Sequence, residues 1–123
     1  MKAIIAVNNL GIIGRDGKLP WHSKDDLAHF KKMTENQTLI CGYNTFQTLP
    51  EVVKKRTKVI CDDRNMIWIG DVWCIGGKKT YEKYANQFTE LHISYIDNDE
   101  EGDCTFPDLK LNKDCKIFTY KFS

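Results

Sequence analysis

With 123 residues the chain has length for one domain with a real core, expected over residues 1–123, and none to spare for a second. Hydrophobic residues make up 41% and charged residues 28%, a balance that excludes a disordered or low-complexity chain. The formal net charge of +1 gives no electrostatic ground for a nucleic-acid or anionic-membrane partner, and neither is expected.

Strand-like and helix-like segments alternate. AIIAV near the start is an unbroken apolar run, as a strand covered on both faces requires. An irregular stretch follows, punctuated by Gly11, Gly14, Gly17 and Pro20. From about Lys24 to Glu35, Leu27, Phe30 and Met33 recur at helical spacing and predict an amphipathic helix. TLICG reads as a second strand, and YNTFQTL as a short helix ending near Pro50. TKVICD predicts a third strand, MIWIG a fourth, and VWCIGG a fifth that runs into the helix KKTYEKYA. ELHISYI alternates like a strand, the acidic loop DNDEEGD follows, and CKIFTYKF closes the chain as a strand. This order predicts an α/β fold: a mixed, mostly parallel central sheet flanked by about three helices, with an antiparallel edge. Ligands of such sheets collect at the carboxyl ends of the strands.

Five cysteines stand singly at Cys41, Cys61, Cys74, Cys104 and Cys115. Their number is odd, no C-x-x-C occurs, and three fall in apolar runs, so reduced, buried thiols are expected. MKAIIAV is too short for a signal peptide and no run approaches the roughly 20 apolar residues of a membrane span. A cytoplasmic protein is the expectation.

Three places carry candidate chemistry. Asp26 lies beside the apolar stripe of the first helix. It reads either as half of a capping box, Ser23-x-x-Asp26, or as a half-buried carboxylate gripping a flat, amidine-bearing heterocycle through two charge-assisted hydrogen bonds. In an apolar pocket its pKa would rise. In WCIGGKKTYEKY a strand runs through Gly76 and Gly77 straight into a helix, which reads as a tight turn or as an anion site with Lys78, Lys79 and Thr80 at hand. The stretch matches neither a Walker loop nor G-x-G-x-x-G. GIIGRDGKLPWH combines spaced glycines with a rigid Pro-Trp corner, which suits either a surface connection or a loop that covers a ligand. His22, His29 and His92 lack ligand spacing, so no metal is expected, and DNDEEGD lacks the spacing of a calcium loop.

In their order, AIIAV…GIIGRDGKLPW, DDLAHFKKMT, LICGYNTFQTLP, IGGKKTYEKY and HISYIDNDEEGDCTFP resemble dihydrofolate reductase over about residues 1–107. The resemblance implies reduction of 7,8-dihydrofolate to tetrahydrofolate with NADPH. Asp26 matches the pocket carboxylate that holds the pterin. Leu27 and Phe30 would line the pocket on the same helix face. Ile4 and Ile75 match positions whose backbone carbonyls meet the pterin's exocyclic amine, with Ala6 in the same wall. Trp21 would hold an ordered water, Arg56 would pair with the substrate's glutamate carboxylate, and Ser94 stands where a threonine usually bonds the pocket carboxylate.

For the cofactor, the resemblance implies contacts from Ala6, Ile13 and the covering loop between Gly14 and Leu19. It adds Gly42, Tyr43, Asn44 and Thr45 after the second strand, and Ile75, Gly76, Gly77, Lys78, Lys79 and Thr80 after the fifth. Gly76 and Gly77 are often cis-linked in the family, and Tyr81 would stand near the nicotinamide as a third catalytic residue beside Asp26 and Trp21.

Three departures stand out. The chain is short between Asp63 and Val72, and one strand closes it where the family builds a hairpin. The third concerns the cofactor: Tyr43 replaces the usual arginine, and Asp62 and Asp63 stand where hydroxyl or basic residues meet the 2′-phosphate. Carboxylates there would repel a phosphate and accept the ribose hydroxyl of NADH instead, with Arg64 or the pair Lys78 and Lys79 as compensation. NADPH with a reduced margin over NADH is therefore the expectation. The expected partners are dihydrofolate and antifolates such as methotrexate or trimethoprim, bound to a monomer. The alternatives are a pterin-binding protein without turnover and a pyrimidine reductase of riboflavin synthesis.

Overall fold

The computed structural model describes every residue except Arg64, and of Arg56 the backbone alone. The chain runs β1 (Lys2–Asn8), β2 (Ile12–Gly14), α1 (Lys24–Thr34), β3 (Thr38–Cys41), α2 (Tyr43–Thr48), α3 (Glu51–Arg56), β4 (Lys58–Cys61) and β5 (Trp73–Cys74). It continues through α4 (Lys78–Tyr84), a single 3-10 turn (Ala85–Gln87), β6 (Glu90–Ile96), β7 (Cys104–Thr105) and β8 (Lys116–Phe122). Six strands form one sheet in the order β4-β3-β5-β1-β6-β8, while β2 and β7 pair as a separate antiparallel ribbon.

The unbroken apolar run of β1 has a simple cause. Ala3, Ile5 and Val7 point to the face covered by Tyr81, Tyr84 and Phe88. Ile4 points to the other face, where Leu39, Val53 and Trp73 meet Phe30 and Met33 of α1. A central strand between two helical layers has no side to give to water. Burial in the neighbouring strands β5 and β3 likewise pushes the Cys74 and Cys41 thiols up to about 12. All five cysteines are free, but only these two are buried; Cys61 is exposed and Cys104 and Cys115 are partly so.

Two sequence expectations fail here. MIWIG forms no strand: Ile67 and Ile69 are 72% and 81% exposed. The place beside β3 belongs to β5, and the run is tied down instead at Met66, between Asp63 and Lys83, and at Trp68, through its amide to the Tyr84 hydroxyl and its carbonyl from Gln87. The edge strand is not antiparallel either. β8 runs parallel to β6, in register from Glu90 opposite Lys116 to Ile96 opposite Phe122. A parallel neighbour needs a long crossover, and residues 97–115 provide one, packing Phe106, Leu109 and Leu111 onto the core on the way. Alternation marks a strand but is blind to its direction.

Among the described residues no helix is long and apolar enough to cross a membrane.

Candidate active site

α1 starts where Ser23 holds extended backbone and its Oγ accepts the Asp26 amide at 3.2 Å. The N-cap half of the capping reading is therefore real. No reciprocal bond from the Asp26 carboxylate forms among the described residues. Asp25 is exposed, as a solvated first-turn acid should be. Asp26 is turned the other way and is only 8% exposed, while Leu27, Phe30 and Met33 on the same helix are merely half-buried. The helix thus buries its carboxylate more completely than its apolar stripe.

Burial raises the Asp26 pKa, and the Ser94 hydroxyl and the His29 ring one turn away offset part of that rise. His29 packs its ring against Tyr120, centroids 4.1 Å apart, and its own pKa is lowered by burial against the pull of Asp26. Ser94, opposite Ala6 in the sheet, is 1% exposed and its Oγ has no partner within hydrogen-bond distance. It lies toward Asp26 without closing a full bond. The indole nitrogen of Trp21 is buried and equally unpartnered, its ring packed with Ile12, Ala6 and Ile96. A buried carboxylate beside a hydroxyl that closes no bond is an arrangement a polar ligand can complete, and the buried indole N–H is one a water can.

The second cluster gathers at the ends of β3 and β5. The peptide between Gly76 and Gly77 is cis, and the Gly42 amide donates to the Gly76 carbonyl at 2.8 Å. Gly76 has φ +115°, a conformation that favours glycine, and the Tyr81 ring lies 3.2 Å from where its Cβ would stand. At Gly42 a Cβ would meet the Thr80 hydroxyl at 2.8 Å. Tyr81 is buried and donates its hydroxyl to the Ile4 carbonyl at 2.6 Å, so the two clusters are joined through one hydrogen bond. Burial pushes its phenol well above the usual range.

The covering loop is tied at two points that sequence reasoning missed. The Asp16 amide donates to the Asp103 carboxylate at 3.1 Å, and the Thr48 hydroxyl to the Gly17 carbonyl at 2.8 Å. Gly14 sits beside Cys104 and Ile13 packs on the core, whereas Leu19 is half-exposed.

Other expected residues are not brought in. Lys78 turns to the Thr105 hydroxyl at 2.9 Å, and Lys79 and Asn44 are exposed. Tyr43 is 63% exposed and accepts from Gln47. Arg64 and the side chain of Arg56 lie outside the described residues. Asp62 is not an open carboxylate: Lys83 and the Tyr84 hydroxyl hold its two oxygens at 2.9 and 2.7 Å. No sequence signal pairs residues 21 positions apart. Among the described residues no group of His, Cys, Asp and Glu is placed to hold a metal. An open recess of about 690 Å³ lies at the amino ends of the strands, by Met1, Asp71 and Thr89, away from Asp26.

Residues 1–71 match the family model described as dihydrofolate reductase. A dihydrofolate reductase of Mycoplasma genitalium is 34% identical, over 82% of this chain and 79% of that protein. Dihydrofolate reductase type 9 of Escherichia coli is 29% identical, over 95% and 81%. The solved dihydrofolate reductase from Enterococcus faecalis, complexed with NADP(H) and RAB-propyl, superposes with a TM-score of 0.73 at 27% identity, over 89% of this chain and 77% of that one. The chain belongs to the dihydrofolate reductase family.

Proposed function

We propose that the chain reduces 7,8-dihydrofolate to 5,6,7,8-tetrahydrofolate with NADPH, and that Asp26 is the group that holds the pterin. The observation that carries this reading is a carboxylate 8% exposed, without an ion pair among the described residues, beside a serine hydroxyl that has no partner of its own. An isolated buried charge is unfavourable unless something completes it. The edge of a pterin, a ring N–H beside an amino group, presents two parallel donors to one carboxylate.

The residues at the second cluster fit a dinucleotide. Gly42 and Gly76 keep the backbone bare at the ends of β3 and β5, and Thr45 and Thr80 offer hydroxyls beside them. When bound, the reduced nicotinamide supplies a hydride to carbon 6 of the pterin, with a proton from water going to nitrogen 5. Everything else is alignment and field. Asp26 favours the cationic pterin through the ring edge, without reaching nitrogen 5. Tyr81 fixes the Ile4 carbonyl, which with that of Ile75 faces the exocyclic amine. Trp21 and Ser94 hold water and carboxylate in place. The loop from Gly14 to Leu19, tied by Asp103 and Thr48, keeps bulk water out.

Dihydrofolate and antifolates such as methotrexate or trimethoprim are the small molecules this site takes. The corresponding reading of assembly and place is a monomer in the cytoplasm. No observation favours the riboflavin-pathway or non-catalytic alternatives. The test is oxidation of NADPH by the purified protein with and without dihydrofolate; activity dependent on dihydrofolate is expected, and its absence beside intact methotrexate binding would leave only a binding protein.

A further inference from the structure

Asp62 follows β4, and its amide bonds the Cys41 carbonyl at 2.7 Å, so it stands at the carboxyl ends of β3 and β4. An acid at such a strand end accepts the adenosine ribose hydroxyls of a phosphate-free dinucleotide and opposes a 2′-phosphate. Here the acid is already occupied. Its side chain is 8% exposed, one oxygen lies 2.9 Å from the Lys83 ammonium and the other accepts the Tyr84 hydroxyl at 2.7 Å. Lys83 also donates to the Asp63 and Met66 carbonyls, which uses all three of its N–H groups. Both residues belong to the last turn of α4, and Tyr84 in turn accepts the Trp68 amide. Of the other candidate sources of positive charge, Lys78 is turned to Thr105, Lys79 is exposed, and Arg64 lies outside the described residues.

We propose that Lys83 is a specificity-determining residue for the cofactor: by occupying and neutralising Asp62 it removes the ribose acceptor that would favour NADH and the charge that would oppose the 2′-phosphate of NADPH. Lys83 acts through Asp62 rather than by touching the cofactor. Asp63 is exposed, and its carboxylate accepts the Asn65 amide. It is the same in every variant below, so differences among them report on Asp62. The inference rests on the proposed dinucleotide site.

The test is a binding cycle that needs no turnover. Dissociation constants of 2′,5′-ADP, 5′-AMP, NADPH and NADH are measured for the full chain and for K83M, D62N, D62N/K83M and K83R. K83M exposes an unopposed carboxylate, and a like charge facing phosphate should lower the preference for 2′,5′-ADP over 5′-AMP, and for NADPH over NADH, by about tenfold or more. D62N alone should raise both ratios, because it removes the acceptor and leaves the Lys83 charge unopposed. The double variant should return toward the starting ratios, and K83R should keep them. A purely structural role for Lys83 would weaken all four ligands together. That outcome, an unchanged ratio in K83M, or a shift in D62N in the same direction as in K83M, each overturns the proposal. Should K83M not fold, D62N carries the comparison: raised ratios are expected from its unopposed lysine, and unchanged or lowered ratios would overturn the proposal. If the protein oxidises NADPH with dihydrofolate yet these ratios stay flat, the inference fails while the enzymatic reading stands.

Discussion

Two carboxylates in this molecule are turned away from water, Asp26 buried and Asp62 partly so, and live in opposite surroundings. Asp62 has a lysine and a tyrosine on its two oxygens and is finished as it stands. Asp26 faces a serine that does not close a bond and a histidine whose charge burial suppresses. The first arrangement holds a segment onto α4. The second is favourable only when a ligand with donors of its own arrives. Burial alone therefore does not mark a site; burial with unmet polar groups does.

The largest effect expected from breaking this contrast is at Asp26. Asp26→Asn should lower kcat/KM for dihydrofolate at neutral pH by about a hundredfold or more, since the charge favouring the cationic pterin is gone. The remaining activity should climb as pH falls, because solvent must then supply the proton that the anion no longer attracts. A steady-state pH profile shows either behaviour. The same change should stabilise the free protein. A raised carboxyl pKa means the folded state prefers the protonated form: that preference adds stability at acid pH and is lost as pH rises through the folded pKa. The asparagine variant should melt a few degrees higher near neutrality and no higher in acid.

Next comes Gly42→Ala. The new methyl meets the Thr80 hydroxyl at 2.8 Å between two backbone segments, so a loss of about 1–3 kcal/mol in denaturant unfolding is expected, with weaker NADPH binding. A smaller effect belongs to Glu90, which His92 holds through a 2.9 Å bond while Tyr120 of β8 meets the other ring nitrogen. That bond lowers the Glu90 pKa, so its contribution exists above the ordinary glutamate range and disappears as pH falls through the lowered value. Glu90→Gln should cost about 1 kcal/mol at pH 7 and almost nothing in strong acid. The smallest effect is at Ile67 and Ile69, both facing water: replacing either by serine should change stability by less than about 0.5 kcal/mol and leave turnover alone.

What the chain reveals before folding follows the same division. AIIAV, TLICG and the helix from Lys24 onward are legible because a two-sided strand and a one-sided helix leave distinct periods. Asp26 is legible as a carboxylate out of place on an apolar stripe, and the order of motifs points also to Trp21, Ser94 and Tyr81, which the structure buries. MIWIG misleads because an apolar run records composition, not burial, and the sheet had no room beside β3 for it. The direction of β8 is hidden because pairing depends on a crossover and not on local pattern. The clasp on Asp62 and the ties from Asp103 and Thr48 are hidden for a related reason: each joins residues far apart in the chain whose types suit solvated duty equally well.

One experiment bears most directly on Asp26: the dihydrofolate-dependent loss of reduced nicotinamide absorbance, followed from acid to alkaline pH for the native chain and for Asp26→Asn. Turnover by the native protein at neutral pH, set against a variant that works only as the solution becomes acidic, is the predicted result. Equal rates and parallel pH profiles for the two proteins would contradict the role given to this carboxylate.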